Sequence, residues 1–255
     1  MSTPSAAPAR VAVVTGGAAG IGRAIAERLA RDGMRVAILD VDDAAAAEAA
    51  RSIGAAGYVA RGYRADVSDR EQVDAALAAA RSDLGPLSVV VSNAAVALLQ
   101  PFLTMTLGQW NQTLAINLTG AFNVVQAALP DLVDAGWGRV VLISSSSAQR
   151  GAPRMAHYAA SKGGIMGLAK ALAVELAASG VTVNTIAPSA VETPSVQRKR
   201  AAGTMPSAEV MARNIPVGRM GTGADIAGAV AYLVSDDASY VTGQTVSVNG
   251  GAFIG

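Results

Sequence analysis

Short runs rich in β-branched residues alternate along this chain with longer stretches rich in Ala and Leu, and that alternation constrains the fold more than any other feature. The runs are Val11–Thr15, Arg35–Asp40, Tyr58–Arg64, Leu87–Ser92, Arg139–Ser144, Val181–Ala187 and Thr245–Asn249. Helix-length stretches lie between them, at about 20–32, 43–53, 69–83, 108–134, 155–179 and 223–234. Strands that alternate with helices form βαβ units, and such units build parallel sheets. Most runs lack a two-residue polar alternation, as strands do when helices cover both faces. At 255 residues the chain suits one α/β domain better than two small ones. The expected architecture is a doubly wound parallel sheet of about seven strands in a single domain.

Several ends carry their own signals. Ser68 and Asp69 are placed to cap the third helix, and Gly33 and Gly180 stand where helices should stop. Pro130 predicts a kink or an early end in the fourth. Residues 1–10 are rich in Ser, Pro and Ala and read as a frayed tail rather than a signal peptide. Residues 188–223 show no clear helix or strand pattern, and a long unassigned stretch in a compact domain is usually functional. It reads as a substrate lid at about 189–222.

Composition removes several function classes. Hydrophobic residues make up 51% and charged ones 15%, which supports a large core and excludes a disordered chain. The net charge is +1 and the basic residues are scattered, so there is no nucleic-acid footprint. Without Cys there are no disulfides, thiolate nucleophiles or Cys-bound metals, which fits a reducing cytoplasm. One histidine, His157, leaves no basis for a His-based metal site or a hydrolase triad, and no metal is expected. Gly, Asp or Arg interrupts every apolar run before it reaches a membrane span. The expectation is a soluble cytoplasmic protein that engages neither nucleic acid nor membrane.

The first run leads directly into Thr15-Gly16-Gly17-Ala18-Ala19-Gly20-Ile21-Gly22 and then a helix. Glycines allow a tight turn and let backbone approach a pyrophosphate, while the helix N-terminus offers free N–H groups and partial positive charge. A Gly-rich turn alone is weak evidence. Its place at the first strand-to-helix crossover makes Gly16, Ala18, Ala19, Gly20, Ile21 and Gly22 candidate dinucleotide contacts in a Rossmann-like fold. The second run ends at Asp40-Val41, and Asp40 follows Gly22 by 18 residues. A carboxylate there can accept hydrogen bonds from both adenosine ribose hydroxyls and would repel a 2′-phosphate. Ala18 and Ala19 offer no cation for such a phosphate, so NAD(H) is expected over NADP(H). The alternative is that Asp40 belongs to an acidic turn and merely caps the next helix.

Tyr158 and Lys162 stand four apart in a helical stretch, on one face. An unperturbed tyrosine titrates near 10, and a neighbouring ammonium favours the phenolate and lowers that value. General acid–base catalysis near neutral pH needs that shift. Such pairs are common on solvated helix faces; what singles this one out is Ser144-Ser145-Ser146-Ser147 at the end of the fifth run, where open α/β sheets bind ligands.

From Val11 to about Gly251 the chain resembles the short-chain dehydrogenases/reductases. The motifs are Thr15-Gly-x-x-x-Gly-x-Gly22, Asp66-Val67, Asn93-Ala94-Ala95, Asn117, Ser145, Tyr158-x-x-x-Lys162, and Pro188 with Thr193. The resemblance implies an oxidoreductase in which Ser145, 13 positions before Tyr158, orients a carbonyl or alcohol oxygen. It implies that Tyr158 carries the proton, that Lys162 holds the ribose hydroxyls and depresses the tyrosine, and that Asn117 holds a water linking the lysine to solvent. Asp66 and Val67 would bracket adenine, Asn93, Ala94 and Ala95 would pass beside the cofactor, and Pro188, Ser189, Val191 and Thr193 would border the nicotinamide. A homotetramer is also implied. Three residues depart from the family pattern: Ala95 and Ser189 replace the usual Gly, and Asn249 stands where Asp is frequent.

The residues expected to wall the pocket, at 96–99, 148–152 and 155–157, are mostly small or apolar. They suggest a neutral ketone or secondary alcohol as substrate. Gln197-Arg198-Lys199-Arg200 in the lid is ordinarily a solvated face, and the sharper reading is that it meets phosphates of an acyl carrier or coenzyme A. A 3-oxoacyl thioester reductase is therefore the alternative. A catalytically silent dinucleotide-binding sensor is a third reading, against which stands the full set of polar residues.

Overall fold

The computed structural model describes residues 9–254. Val11–Thr15, Arg35–Asp40, Ala60–Arg64, Leu87–Ser92, Gly138–Ile143, Val181–Pro188 and Thr245–Val248 form strands β1 to β7. All pair in parallel, in the order β3-β2-β1-β4-β5-β6-β7. The order reverses at β1, between β2 and β4, and a sheet that reverses opens a crevice at the carboxyl ends of those strands.

The helices are α1 Gly20–Arg31, α2 Asp43–Ala55, α3 Arg70–Leu84, α4 Leu107–Leu114, α5 Gly120–Asp134, α6 Ser146–Arg150, α7 Ala156–Leu176, α8 Pro194–Ala201, α9 Ala208–Ala212 and α10 Gly223–Val234. Both faces of the sheet are covered, which explains the unalternating strands. Val11 and Val13 point into a core with Leu77 of α3, Val124 of α5 and Ile165 of α7. Ala12 and Val14 point the other way, to Ile25 of α1, Ala49 of α2 and Ile226 of α10. Each fully buried Leu or Ile contributes about 1.5–3 kcal/mol, so the two layers make the sheet a rigid platform for whatever its edge carries.

Several expected boundaries shift. β3 begins at Ala60 rather than Tyr58, because the Tyr58 N–H turns back to the Ile53 carbonyl and closes α2. Asp69 alone caps α3, accepting from Glu71 and Gln72, while the Ser68 amide and hydroxyl turn to Asp66. Pro130 does not end its helix: α5 runs on to Asp134, with Asp131 pinned by Arg81 (3.0 Å) and the Leu87 N–H (2.7 Å). The expected single helix 108–134 is instead broken by a π-helical turn at Ala115–Thr119. Residues 188–223 are not structureless but carry α8 and α9. Of the expected tail, residues 1–8 lie outside the described residues; Arg10 is anchored, donating to Asp236 and stacking 3.6 Å over the Trp137 ring. Among the described residues no helix is long and apolar enough to cross a membrane.

Candidate active site

The turn after β1 is held by backbone proximity. Gly16 and Gly20 take φ of 60° and 57°, and a Cβ on Gly22 would lie 2.1 Å from the Gly16 carbonyl oxygen. Only glycine closes that turn. Asn93, at the end of β4, donates from Nδ2 to the carbonyls of Thr15 (3.0 Å) and Gly16 (3.1 Å). The amides of Asn93 and Ala94 donate in return to Thr15 Oγ1. Unlike α2, α3, α4, α8, α9 and α10, each capped by its own Asp, Ser or Thr, α1 starts from Ala19 with no side-chain cap. Its first N–H groups and the positive end of its dipole therefore point to the loop, a cradle that fits a pyrophosphate.

Asp40 sits beside this cradle. Its Oδ2 accepts the Ala18 N–H (3.1 Å) and its Oδ1 the Asp42 N–H (3.2 Å). The cap of α2 is Asp42, which accepts from Ala45, so the capping alternative for Asp40 fails. Val41 is exposed next to it. Asp66 is oriented by Ser68, and the Val67 carbonyl accepts from Asn123 Nδ2 (2.9 Å), so both follow β3 in fixed positions. Ala95 is exposed at the site edge, whereas Pro188 ends β6. Ser189 follows it, and Val191 bridges to Gly221.

The polar cluster forms where β5 ends. Ser145 caps α6, accepting the Ser147 N–H (3.1 Å), and its hydroxyl is near enough to the Tyr158 phenol, at the start of α7, to act on its acidity. Burial raises the Tyr158 pKa, and the neighbouring Ser145 hydroxyl pulls it partly back. Lys162, one turn on, is 2% exposed, with Nζ donating to the Ile143 carbonyl (2.7 Å). Nζ lies 5.8 Å from the centre of the Tyr158 ring. Desolvation pushes the Lys162 ammonium down to about 7. Ser144 braces the helix by donating to the Lys162 carbonyl (2.8 Å). A phenol paired with a hydroxyl and backed by a buried amine can pass a proton to or from an oxygen lodged at Ser145.

Asn117 lies in the π turn, and its side chain is committed. Oδ1 accepts the Val96 N–H (2.8 Å); Nδ2 donates to the Val96 carbonyl (3.0 Å) and to Ser161 Oγ (3.1 Å). It ties the loop after β4 to α7. His157, expected in the pocket wall, is instead fully buried, with neither ring nitrogen partnered among the described residues. Asn249 accepts the Gly251 N–H and donates to the Phe253 carbonyl (2.8 Å), a donation that an Asp carboxylate does not make.

Nothing in the sequence singles out Arg154 or Glu192, yet each makes a contact that ties its loop to another segment. Arg154 is the one non-glycine among the described residues at positive φ (63°), and its carbonyl accepts the Gln100 N–H (2.8 Å). A left-handed backbone costs a side-chain-bearing residue about 1–2 kcal/mol, so the loop after β4 is held against the start of α7 at some strain. Of the basic run 198–200, Arg200 is paired with Glu192 and Lys199 reaches the Ala97 carbonyl (3.3 Å), leaving Arg198 exposed.

Comparison with known proteins finds relatives along nearly the whole chain. The family model described as enoyl-(acyl carrier protein) reductase matches residues 16–252. The chain is 41% identical to an acetoacetyl-CoA reductase of Shinella zoogloeoides over 96% of this chain and 98% of that protein. It is 37% identical to 2-(S)-hydroxypropyl-CoM dehydrogenase 3 of Xanthobacter autotrophicus, over 94% and 95%. A crystal structure of a variant actinorhodin polyketide ketoreductase with NADPH superposes with a TM-score of 0.92 at 33% identity, over 96% of this chain and 97% of that one.

Proposed function

The chain belongs to the short-chain dehydrogenase/reductase family, and from that premise we propose that it is an NAD(H)-dependent enzyme interconverting a secondary alcohol and a ketone. One observation carries the reading: Tyr158, beside the Ser145 hydroxyl and backed by buried Lys162, shares the carboxyl edge of the sheet with the uncapped start of α1. Gly16 and residues 18–22 hold the pyrophosphate, Asp40 and Val41 the adenosine ribose, and Asp66 and Val67 the adenine. Asn93, Ala94 and Ala95 flank the cofactor, while Pro188, Ser189, Val191 and Thr193 border its nicotinamide. The bound nicotinamide supplies or accepts the hydride. Ser145 orients the substrate oxygen, and Tyr158 gives or takes its proton. Lys162 holds ribose hydroxyls and, when charged, lowers the phenol pKa. Asn117 keeps the π turn against α7 beside that lysine. Burial raises the phenol pKa, and a positive charge bound beside Tyr158 would lower it again.

Asp40 supports NAD(H): a carboxylate held by the Ala18 amide would meet a 2′-phosphate as like charge. Residues 189–222 form the lid over a neutral ketone or alcohol. The likeness to an acetoacetyl-CoA reductase, with exposed Arg198 on the lid, favours as second reading a 3-oxoacyl-CoA or 3-oxoacyl-ACP reductase. A cytoplasmic homotetramer is the assembly we assign, supported by the absence of Cys and by exposed Phe122 and Val133 on α5 and Val174 on α7; light scattering tests its size. The decisive experiment is a panel of ketones, alcohols and acyl thioesters with NADH and NADPH side by side. Ketone turnover with NADH preferred is the expected result. Preference for NADPH overturns the role of Asp40, and no turnover with any pair favours the silent dinucleotide-binding reading.

A further inference from the structure

The helix α8 fully buries none of its eight residues and has Val196 alone as a half-buried apolar side chain, so little apolar contact fixes where it lies over the site. Polar contacts must do so. At its start Thr193 Oγ1 accepts the Val196 N–H (3.3 Å), and the Thr193 side chain lies 3.5 Å from where a Cβ on Gly20 would sit. This end of α8 thus abuts the turn after β1. At its far end Arg200 reaches back to Glu192, with Nη1 donating to Oε1 (3.0 Å) and Nη2 to Oε2 (2.7 Å). The fork is bidentate and only about a quarter exposed on each side (25% and 26%), the geometry in which Arg–carboxylate pairs are most selective in direction. The guanidinium holds the Glu192 carboxyl below the ordinary carboxylate range.

Glu192 is a fixed anchor. Its N–H donates to the Gly221 carbonyl (2.8 Å), and Val191 before it is paired with Gly221 in a parallel bridge. Arg200 also rests 3.6 Å from the sulfur of Met220. One residue before it, Lys199 extends to the Ala97 carbonyl in the loop after β4. The side chains of α8 thus span from the Val191–Thr193 segment to the opposite wall of the site.

We infer that Glu192 and Arg200 are a positioning pair: their bond sets where α8 lies and couples the lid to the Val191–Thr193 segment that borders the cofactor. The inference rests on the dinucleotide reading of the site for its catalytic consequence and on the geometry of α8 for its structural one. A pair of this exposure is worth a modest factor, about five-fold in the opening equilibrium of the lid.

The test is Glu192→Ala, which keeps every basic residue of the lid. Trypsin cleavage after Arg198 and Lys199 should be about five-fold faster than in the parent protein without added dinucleotide. KM for the carbonyl substrate should rise by a similar factor while kcat and Tm stay nearly unchanged. The charge-exchanged double variant Glu192→Arg with Arg200→Glu should recover resistance at Arg198, read by fragment mass. Unchanged cleavage in Glu192→Ala overturns the inference. So does a fall in Tm with KM unchanged, which would make the pair a simple brace. The cleavage arm needs no bound cofactor; a parent protein that binds neither NADH nor NADPH would overturn the proposed function, and cleavage alone would then decide the pair.

Discussion

The turn after β1 and the stretch between β6 and α10 border the same site and are held by opposite means. In the first, backbone meets backbone: Gly22 has no room for a Cβ against the Gly16 carbonyl, and Asn93 stitches the turn to β4. In the second, buried Val191, Ile215 and Met220 pin the ends of the stretch, but α8 and α9 between them bury no residue, and an ion pair and single hydrogen bonds hold those helices. The difference separates what must stay rigid from what must adapt. A cradle for a constant group tolerates close packing, whereas an enclosure for a substrate belongs to the low-stability end of the fold, where few apolar contacts resist opening.

The sharpest way to break this division is at the rigid edge. Tyr158→Phe keeps the ring and removes the proton carrier, so kcat should fall at least ~100-fold, with the melting temperature little changed. Near-normal turnover would sink the assignment of the site.

Lys162 tests whether the rigid edge bears an electrostatic cost. Its folded pKa of about 7 lies below the 10.5 of the exposed group, so the unfolded chain holds the extra proton between those values. Stability should therefore rise with pH from about 7 towards 10.5, and the burial cost is fully present below about 7. Lys162→Met should be inactive yet more stable than the parent at pH 6, with the gap closing across that window. Urea melts at several pH values measure this; equal stability at pH 6 would contradict it.

A matched pair of glycines gives the finest comparison. Gly22→Ala forces a Cβ to within 2.1 Å of a backbone oxygen, and overpacking of that kind costs about 1–3 kcal/mol or more. It should also abolish dinucleotide binding. Gly203, beyond α8, has positive φ (69°) but open space around its missing Cβ. Gly203→Ala should cost only the conformational strain, about 1 kcal/mol, and leave dinucleotide binding intact. Calorimetry and NADH titration of both variants read the two effects.

Much of this was legible along the chain. Strand and helix periods are local consequences of burial and backbone hydrogen bonding, so the seven strands and the doubly wound sheet followed from the alternation of segments. The glycine turn and the Tyr158–Lys162 pair were visible for the same reason: a turn or one helical turn is decided within a few residues. The boundaries that moved did so where a competing contact won, as when the Tyr58 amide chose Ile53 over the sheet. Residues 189–222 were the least legible part, because short helices that bury nothing leave no apolar period to read.

Sequence alone thus determined the layered parallel sheet, the glycine turn after β1 and the one-turn spacing of Tyr158 and Lys162, all products of short-range periodicity and backbone sterics. Only the tertiary structure decided that Lys162 is buried with its Nζ on the Ile143 carbonyl, that Asn117 sits in a π turn bound to Val96 and Ser161, and that Arg154 bends left-handed to hold the loop after β4. It also decided that Glu192 holds Arg200. Those contacts join elements that no local rule brings together; they exist because the packed sheet fixes where the ends of β1, β4, β5 and β6 lie relative to one another.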